Sequence, residues 1–306
     1  MCSSDLGMEY LSTGRYLYED QHPPLARVFG ALGPFFSGER FHPGPDSYHE
    51  GYRILGRDTH YDRTLALGRA GILPFFWIAS AVVFLWALRA AGPRAALLST
   101  LLFTTLPPVL AHSGLISTDM AAVAFAGAAA FASLLWADVP DGKRTILFGV
   151  CLGLAALSKF SAILFLAAAL LLMHRQRLYK VAHALVRAVS RLVSTRLVGH
   201  ALACPDSQQI TSPPNACRIY RLAAAIAIAL AIVWLGYGFS FARVGYLHLR
   251  LPAPRFFTGL RTLWAHNAAG HASYLFGARS STGFWYYYPA ALALKTPLAM
   301  LLLLPL

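Results

Sequence analysis

Three short polar turns interrupt an otherwise apolar chain, and each carries side chains able to do chemistry. The first is Glu19-Asp20-Gln21-His22-Pro23-Pro24, the second runs from His112 to Asp119, and the third is Ser158-Lys159-Phe160. Carboxylates at 19, 20 and 119 can take a proton, while the imidazole and the ammonium can hold an anion. Ionisable groups within membrane segments are costly to keep there and mark sites of function. The set suits a lipid-linked anionic substrate, with its tail between helices and its phosphate against the cations. Spacing alone names no sugar.

The elements that must position these groups follow from composition. The 306 residues are 57% hydrophobic and 13% charged, about half the charge of a soluble domain. The reading is an all-α, polytopic transmembrane helix bundle. The net charge of +13 is mainly arginine between apolar runs, which reports topology rather than a nucleic-acid partner. Cys2, Cys151, Cys204 and Cys217 have no metal-binding spacing, and reduced thiols are expected. His42, His49 and His60 are read as solvated loop histidines, so no metal ligand is assigned. No cofactor is called for, and a divalent metal is left open.

Taken in order, His22-Pro23-Pro24 is a turn that can open a helix, since proline at a first helical position loses only an unpaired N–H. Leu25, Val28, Phe29 and Leu32 then draw one apolar stripe, predicting an amphipathic helix along the membrane surface. Residues 35–67 read as loop. Spans are predicted over Gly71–Leu88, Ala95–Ala111 and Met120–Trp136, with Thr118 or Asp119 as an N-cap to the third. The next apolar run contains Lys159. A lysine at mid-bilayer costs at least about 2.5 kcal/mol, so two short helices, Ile146–Leu157 and Ser161–Met173, meeting at a polar break are expected. A further span covers Leu222–Phe239, an aromatic segment follows, and a last span starts near Pro289.

Two divisions result: residues 1–67 as a first extracytoplasmic loop carrying the surface helix, and 68–306 as the transmembrane helix domain. With 1–67 outside, the 89–94, 137–145 and 174–221 loops fall inside and hold the Arg/Lys excess, as the positive-inside rule asks. Segment 174–221 is then a basic cytoplasmic loop and 240–288 an extracytoplasmic segment. The turns at 112–119 and 158–160 share the outer face with His22. The start lacks a signal peptide or preceding span and the end falls inside an apolar run, so a piece of a longer protein is expected.

The chain resembles the polyprenyl- and dolichyl-phosphate-sugar-dependent glycosyltransferases of the C-type superfamily, protein mannosyltransferase-like and aminoarabinose transferase-like. The resembling patches are Gly7-Met8-Glu9-Tyr10-Leu11, Gly14-Arg15-Tyr16, His22 to Arg27, His112-Ser113, Thr118-Asp119 and Leu157-Ser158-Lys159. Gly270-His271, Ser273-Tyr274-Leu275, Gly277, Gly283 to Pro289 and Lys295-Thr296-Pro297 complete them. The resemblance implies inverting transfer of a sugar from a polyprenyl-phosphate carrier to a protein or lipid acceptor, outside a bacterial inner or plasma membrane. It also implies a catalytic Asp-Glu pair upstream of Gly7, which this sequence lacks, so the fragment as given is expected to be inactive. By position, Asp119 is a candidate catalytic group, and His22 and Lys159 are candidates for the donor and its phosphate. Arg69, Arg279, His271 and Lys295 are further phosphate candidates. Against these stand plainer roles: a turn histidine at 22, an N-cap at 119, a snorkelling lysine at 159. Trp285 to Tyr288 read first as an interfacial aromatic belt and second as a sugar-stacking surface. The alternative functions are a polytopic transporter or lipid flippase, or a non-catalytic membrane remnant.

Overall fold

A computed structural model describes residues 4–16, 21–44, 47–56, 60–175, 215–268, 270 and 273–296. Glu19, Asp20, His271 and most of the basic 174–221 loop lie outside the described residues. The fold is all-α, as expected, with two short β-hairpins. Three stretches, Tyr61–Thr105, Asp119–Asp138 and Cys217–Gly236, are long and apolar enough to cross a membrane.

Four helices precede the bundle: α1 (Ser4–Thr13), α2 (Leu25–Phe36), α3 (Ser47–Gly56) and α4 (Tyr61–Ala70). Residues 35–67, read as loop, therefore hold two helices. Their propensity is modest, and buried Ile54, Leu55, Glu50, Thr64 and Gly68 fix them by packing. The predicted start of α2 directly after the prolines holds, with Pro24 at the N-cap. Its buried face differs from the predicted stripe: Ala26, Arg27, Gly30, Ala31 and Pro34 are covered, while Leu25, Val28, Phe29 and Leu32 are half-buried. The reason is that α2 packs between α1 and α4 and touches a later helix of the bundle, α8 (Gly142–Ser158).

Helix α5 (Leu73–Thr105) is broken at Gly92 (φ +84, ψ −175), a conformation only glycine adopts readily, and Pro93 starts the second arm. Phe103 of the second arm packs on the same cluster as Phe75 of the first. A straight helix would separate them by about 40 Å at 1.5 Å per residue. The chain therefore turns back at Gly92, inside the turn predicted over 89–94. Helix α6 (Pro107–Ser113) and a short turn lead into α7 (Asp119–Asp138).

Helix α8 (Gly142–Ser158) ends where expected. Lys159 is extended (φ −162, ψ 136), and α9 (Phe160–Arg175) follows. The split reading of 146–173 is thus met. Leu166, Leu170 and Met173 pack on Phe148, Cys151 and Ala155 in the cluster shared with α7 and α10 (Asn215–Gly236). Next come the antiparallel hairpin β1 (Phe241–Val244)/β2 (Leu249–Pro252) and α11 (Pro254–Ala268). The hairpin β3 (Ser273–Leu275)/β4 (Ala278–Ser280) and α12 (Tyr287–Lys295) complete the described chain.

Candidate active site

The bundle has two chemically different ends. At one, Asp141 Oδ1 caps α8 by accepting from Arg144 N at 2.8 Å, Arg89 pairs with Asp138, and Ser133 Oγ lies 3.2 Å from His174 Nε2. At the other end the turn after α6 meets the α8–α9 break. There Lys159 Nζ donates to Asp119 Oδ1 at 2.7 Å, and His112 Nδ1 lies 3.3 Å from Asp119 Oδ2. About a third of each side chain in the lysine–aspartate pair remains exposed, 33% for Lys159 and 35% for Asp119. The pair is half-desolvated, so its attraction is stronger than at an open surface and its groups remain reachable.

Thr118 occupies the N-cap position of α7 but makes no side-chain capping bond, and Asp119 is the first helical residue. Of the two residues expected as N-cap, Thr118 takes the position and Asp119 does not. A carboxylate at this position is favoured by the helix dipole, and here it is turned toward the ammonium. Lys159 reaches it because its extended backbone projects the side chain out of the α8–α9 pair. Sequence reasoning named both residues, but not their pairing, nor His112 as the third member.

His22 shares this end. Leu25, at the start of α2, packs with Leu157 in a cluster that also holds Tyr16, Tyr237 and Ala253. Phe160, directly after Lys159, meets Phe256 of α11 edge-on at 5.3 Å. His22 itself is half-buried. Arg69 is exposed and lines a cleft of about 330 Å³ whose opposite wall includes Ser113 and Gly114, beside the His112–Asp119 turn. Arg279 is exposed on β4, and Lys295 is exposed at the end of α12. Among the described residues, no hydrogen bond or ion pair joins Arg279 or Lys295 to Asp119 or Lys159. Trp285 and Tyr288 are exposed by 91% and 80%, as an aromatic belt requires.

A second polar group adjoins the first and was not singled out from sequence. Glu9, Arg27 and Tyr16 are all buried. Tyr10 and Tyr16 stack at 4.5 Å, and Tyr16 meets Tyr237 edge-on at 5.7 Å. Burial is the first cause that raises the Tyr16 phenol far above its usual pKa; Tyr10, Tyr237 and Glu9 add to the rise and Arg27 opposes it. Burial also raises Tyr10. Both phenols are therefore neutral hydrogen-bonding groups. The Tyr16 hydroxyl has no hydrogen-bond partner among the described residues. The available signal was a charged residue, Arg27, among the small residues Ala26, Gly30 and Ala31 of one short helix.

Chemically, this end offers a carboxylate in contact with both a cation and an imidazole, bordered by neutral phenols and apolar helices. Among the described residues no group of three His, Cys, Asp or Glu is placed to hold a metal ion. No curated protein and no solved structure matches the chain. Residues 71–196, less than half of the chain, match the family model described as dolichyl-phosphate-mannose-protein mannosyltransferase. That stretch includes α5 to α9, and with them Asp119, Lys159 and His112. Over it the chain is similar to the dolichyl-phosphate-mannose-protein mannosyltransferases, which bears out the resemblance read from its motifs and, with the apolar helices, supports a mannosyltransferase-like membrane glycosyltransferase.

Proposed function

We propose that the protein moves a sugar from a polyprenyl-phosphate carrier to a hydroxyl of a protein or lipid acceptor, at the outward face of the membrane. The observation that carries this reading is the Lys159–Asp119–His112 contact at the end of the bundle shared with the His22 turn. In the resting protein the ammonium and the carboxylate satisfy one another. A donor phosphate arriving at the α8–α9 break draws Lys159 to its own oxygens, in a charge-assisted hydrogen bond. Asp119 is then left to take the acceptor's hydroxyl proton, with His112 beside it.

The acceptor oxygen bonds to the sugar's anomeric carbon from the face opposite the carrier, and the carbon–oxygen bond to phosphate breaks. The freed polyprenyl phosphate keeps the bonding electrons and stays against Lys159 and His22, which stabilise its charge. Anomeric configuration inverts in this single displacement. Arg69, at the cleft beside the His112–Asp119 turn, is a further phosphate candidate on this path. Arg279 and Lys295 are assigned contacts with the carrier or acceptor, and His271 is retained as a phosphate candidate.

Membranes carrying the protein in a full-length form that includes the expected upstream Asp-Glu pair are supplied with a radiolabelled polyprenyl-phosphate sugar, and label in the acceptor fraction is counted. Lys159→Ala is expected to raise the donor KM. Asp119→Asn is expected to lower kcat by about a hundredfold or more, the usual weight of a positioned base. Undiminished transfer in both variants removes the pair from the site and overturns the proposal.

A further inference from the structure

Between Ser240 and Tyr288 the chain carries five arginines (Arg243, Arg250, Arg255, Arg261 and Arg279) and no Asp or Glu. Two of them face each other. Arg243 and Arg250 are direct partners across the β1/β2 hairpin, and both are exposed. Like charges opposed on one face of an antiparallel pair repel, and nothing in the segment's own sequence offsets that. No acidic side chain among the described residues forms an ion pair with Arg243, Arg250 or Arg279.

The hairpin is nevertheless held firmly. Val244, the next residue on the opposite face, is fully buried, and Ala253 N donates to the Ser240 carbonyl at 2.9 Å. The arginine face is thus turned away from the bundle. Phe241 shares that face by strand alternation and is 59% exposed. On α11, Arg261 lies over the Tyr246 ring at 5.0 Å and Trp264 is exposed. The segment starts directly after α10, which is apolar enough to cross the membrane.

We propose that the β1/β2 hairpin and α11 form a basic, aromatic plate seated on anionic phospholipid headgroups. Phosphate oxygens bridge Arg243 and Arg250, since the guanidinium fork matches a phosphate and removes the repulsion between the strands. Phe241 and Trp264 enter the border between headgroups and acyl chains, where aromatic rings are favoured. Lipid is the occupant because the plate begins where a membrane helix ends, at the level where phosphates already stand. This inference needs only the membrane helices and is independent of the glycosyl-transfer reading.

The test uses the full chain in nanodiscs of phosphatidylcholine, with and without phosphatidylglycerol, and reads hydrogen exchange by mass spectrometry. Backbone amides over 241–268 are expected to exchange about fivefold more slowly with the anionic lipid, in keeping with the strength of single arginine–headgroup contacts. Raised salt should abolish the slowing by screening. Arg243→Gln with Arg250→Gln should abolish it too, with exchange over α7 unchanged as the sign of an intact bundle. Equal exchange in the two lipids, slowing that persists in high salt, or slowing that survives in the double variant each overturns the proposal. If poly-glutamate slows the segment in phosphatidylcholine discs and phosphatidylglycerol does not, the surface is a peptide site and the lipid assignment falls.

Discussion

Lys159 shows what a single residue decides in this chain. An ammonium inside an apolar run forces the helix to break, and that much is legible from the cost of burying charge in lipid. Its partner is not legible, because Asp119 lies 40 residues away in sequence and meets it only after α7 and α8 have packed. The same holds for Tyr16, whose edge-on contact with Tyr237 joins residues far apart in sequence. Two measurements follow at this scale. A double-mutant cycle on Asp119→Asn and Lys159→Met, read by thermal unfolding in detergent, should give a coupling of about 1 kcal/mol, as expected for a pair this exposed. A coupling of zero would mean that the contact contributes nothing to the fold. Tyr16→Phe should leave stability unchanged or raise it by about 1 kcal/mol, because it removes a buried hydroxyl that has no partner among the described residues. Clear destabilisation would reveal a partner for that hydroxyl.

Among the elements, α8 and α10 cross closely through small residues, as helices in lipid often do. A Cβ added at Gly149 would stand 2.6 Å from the Ala225 carbonyl oxygen, and one at Gly153 would stand 2.7 Å from Ile232 Cβ. Gly153→Ala is therefore expected to cost about 1–3 kcal/mol through overpacking. Gly142→Ala, at a position open to space, should cost nothing measurable. Equal Tm values for the two variants would contradict this crossing. The small-residue faces also explain the misreadings. An apolar-stripe search finds Leu25, Val28, Phe29 and Leu32 but passes over Ala26, Gly30 and Ala31, which are the residues α2 buries. Helices α3 and α4 escaped for a related reason. Their glycines, histidines and mixed charges look like loop, and only contact with α1 and α2 makes them helical.

For the whole molecule, hydropathy and the spacing of turns carried the reading a long way. The all-α membrane class, the reversal near Gly92 and the split at Lys159 were all legible, since each follows from keeping backbone and charge satisfied in lipid. The hairpins at 241–252 and 273–280 were not, because strands this short carry no alternation to detect. Opposite ends of α7 should face opposite sides of the membrane. Single cysteines replacing Leu115 and Val139, both exposed, are expected to react with an impermeant maleimide from opposite sides of sealed vesicles. Labelling of both from one side would remove α7 as a span. The pairing of Lys159 with Asp119 also bears on how the chain is made. During synthesis Asp119 leaves the ribosome first and stands without its counter-ion until another 40 residues have emerged. Because Lys159 follows α8, the pair closes only once α8 is complete, and α7 and α8 are expected to settle into the membrane together.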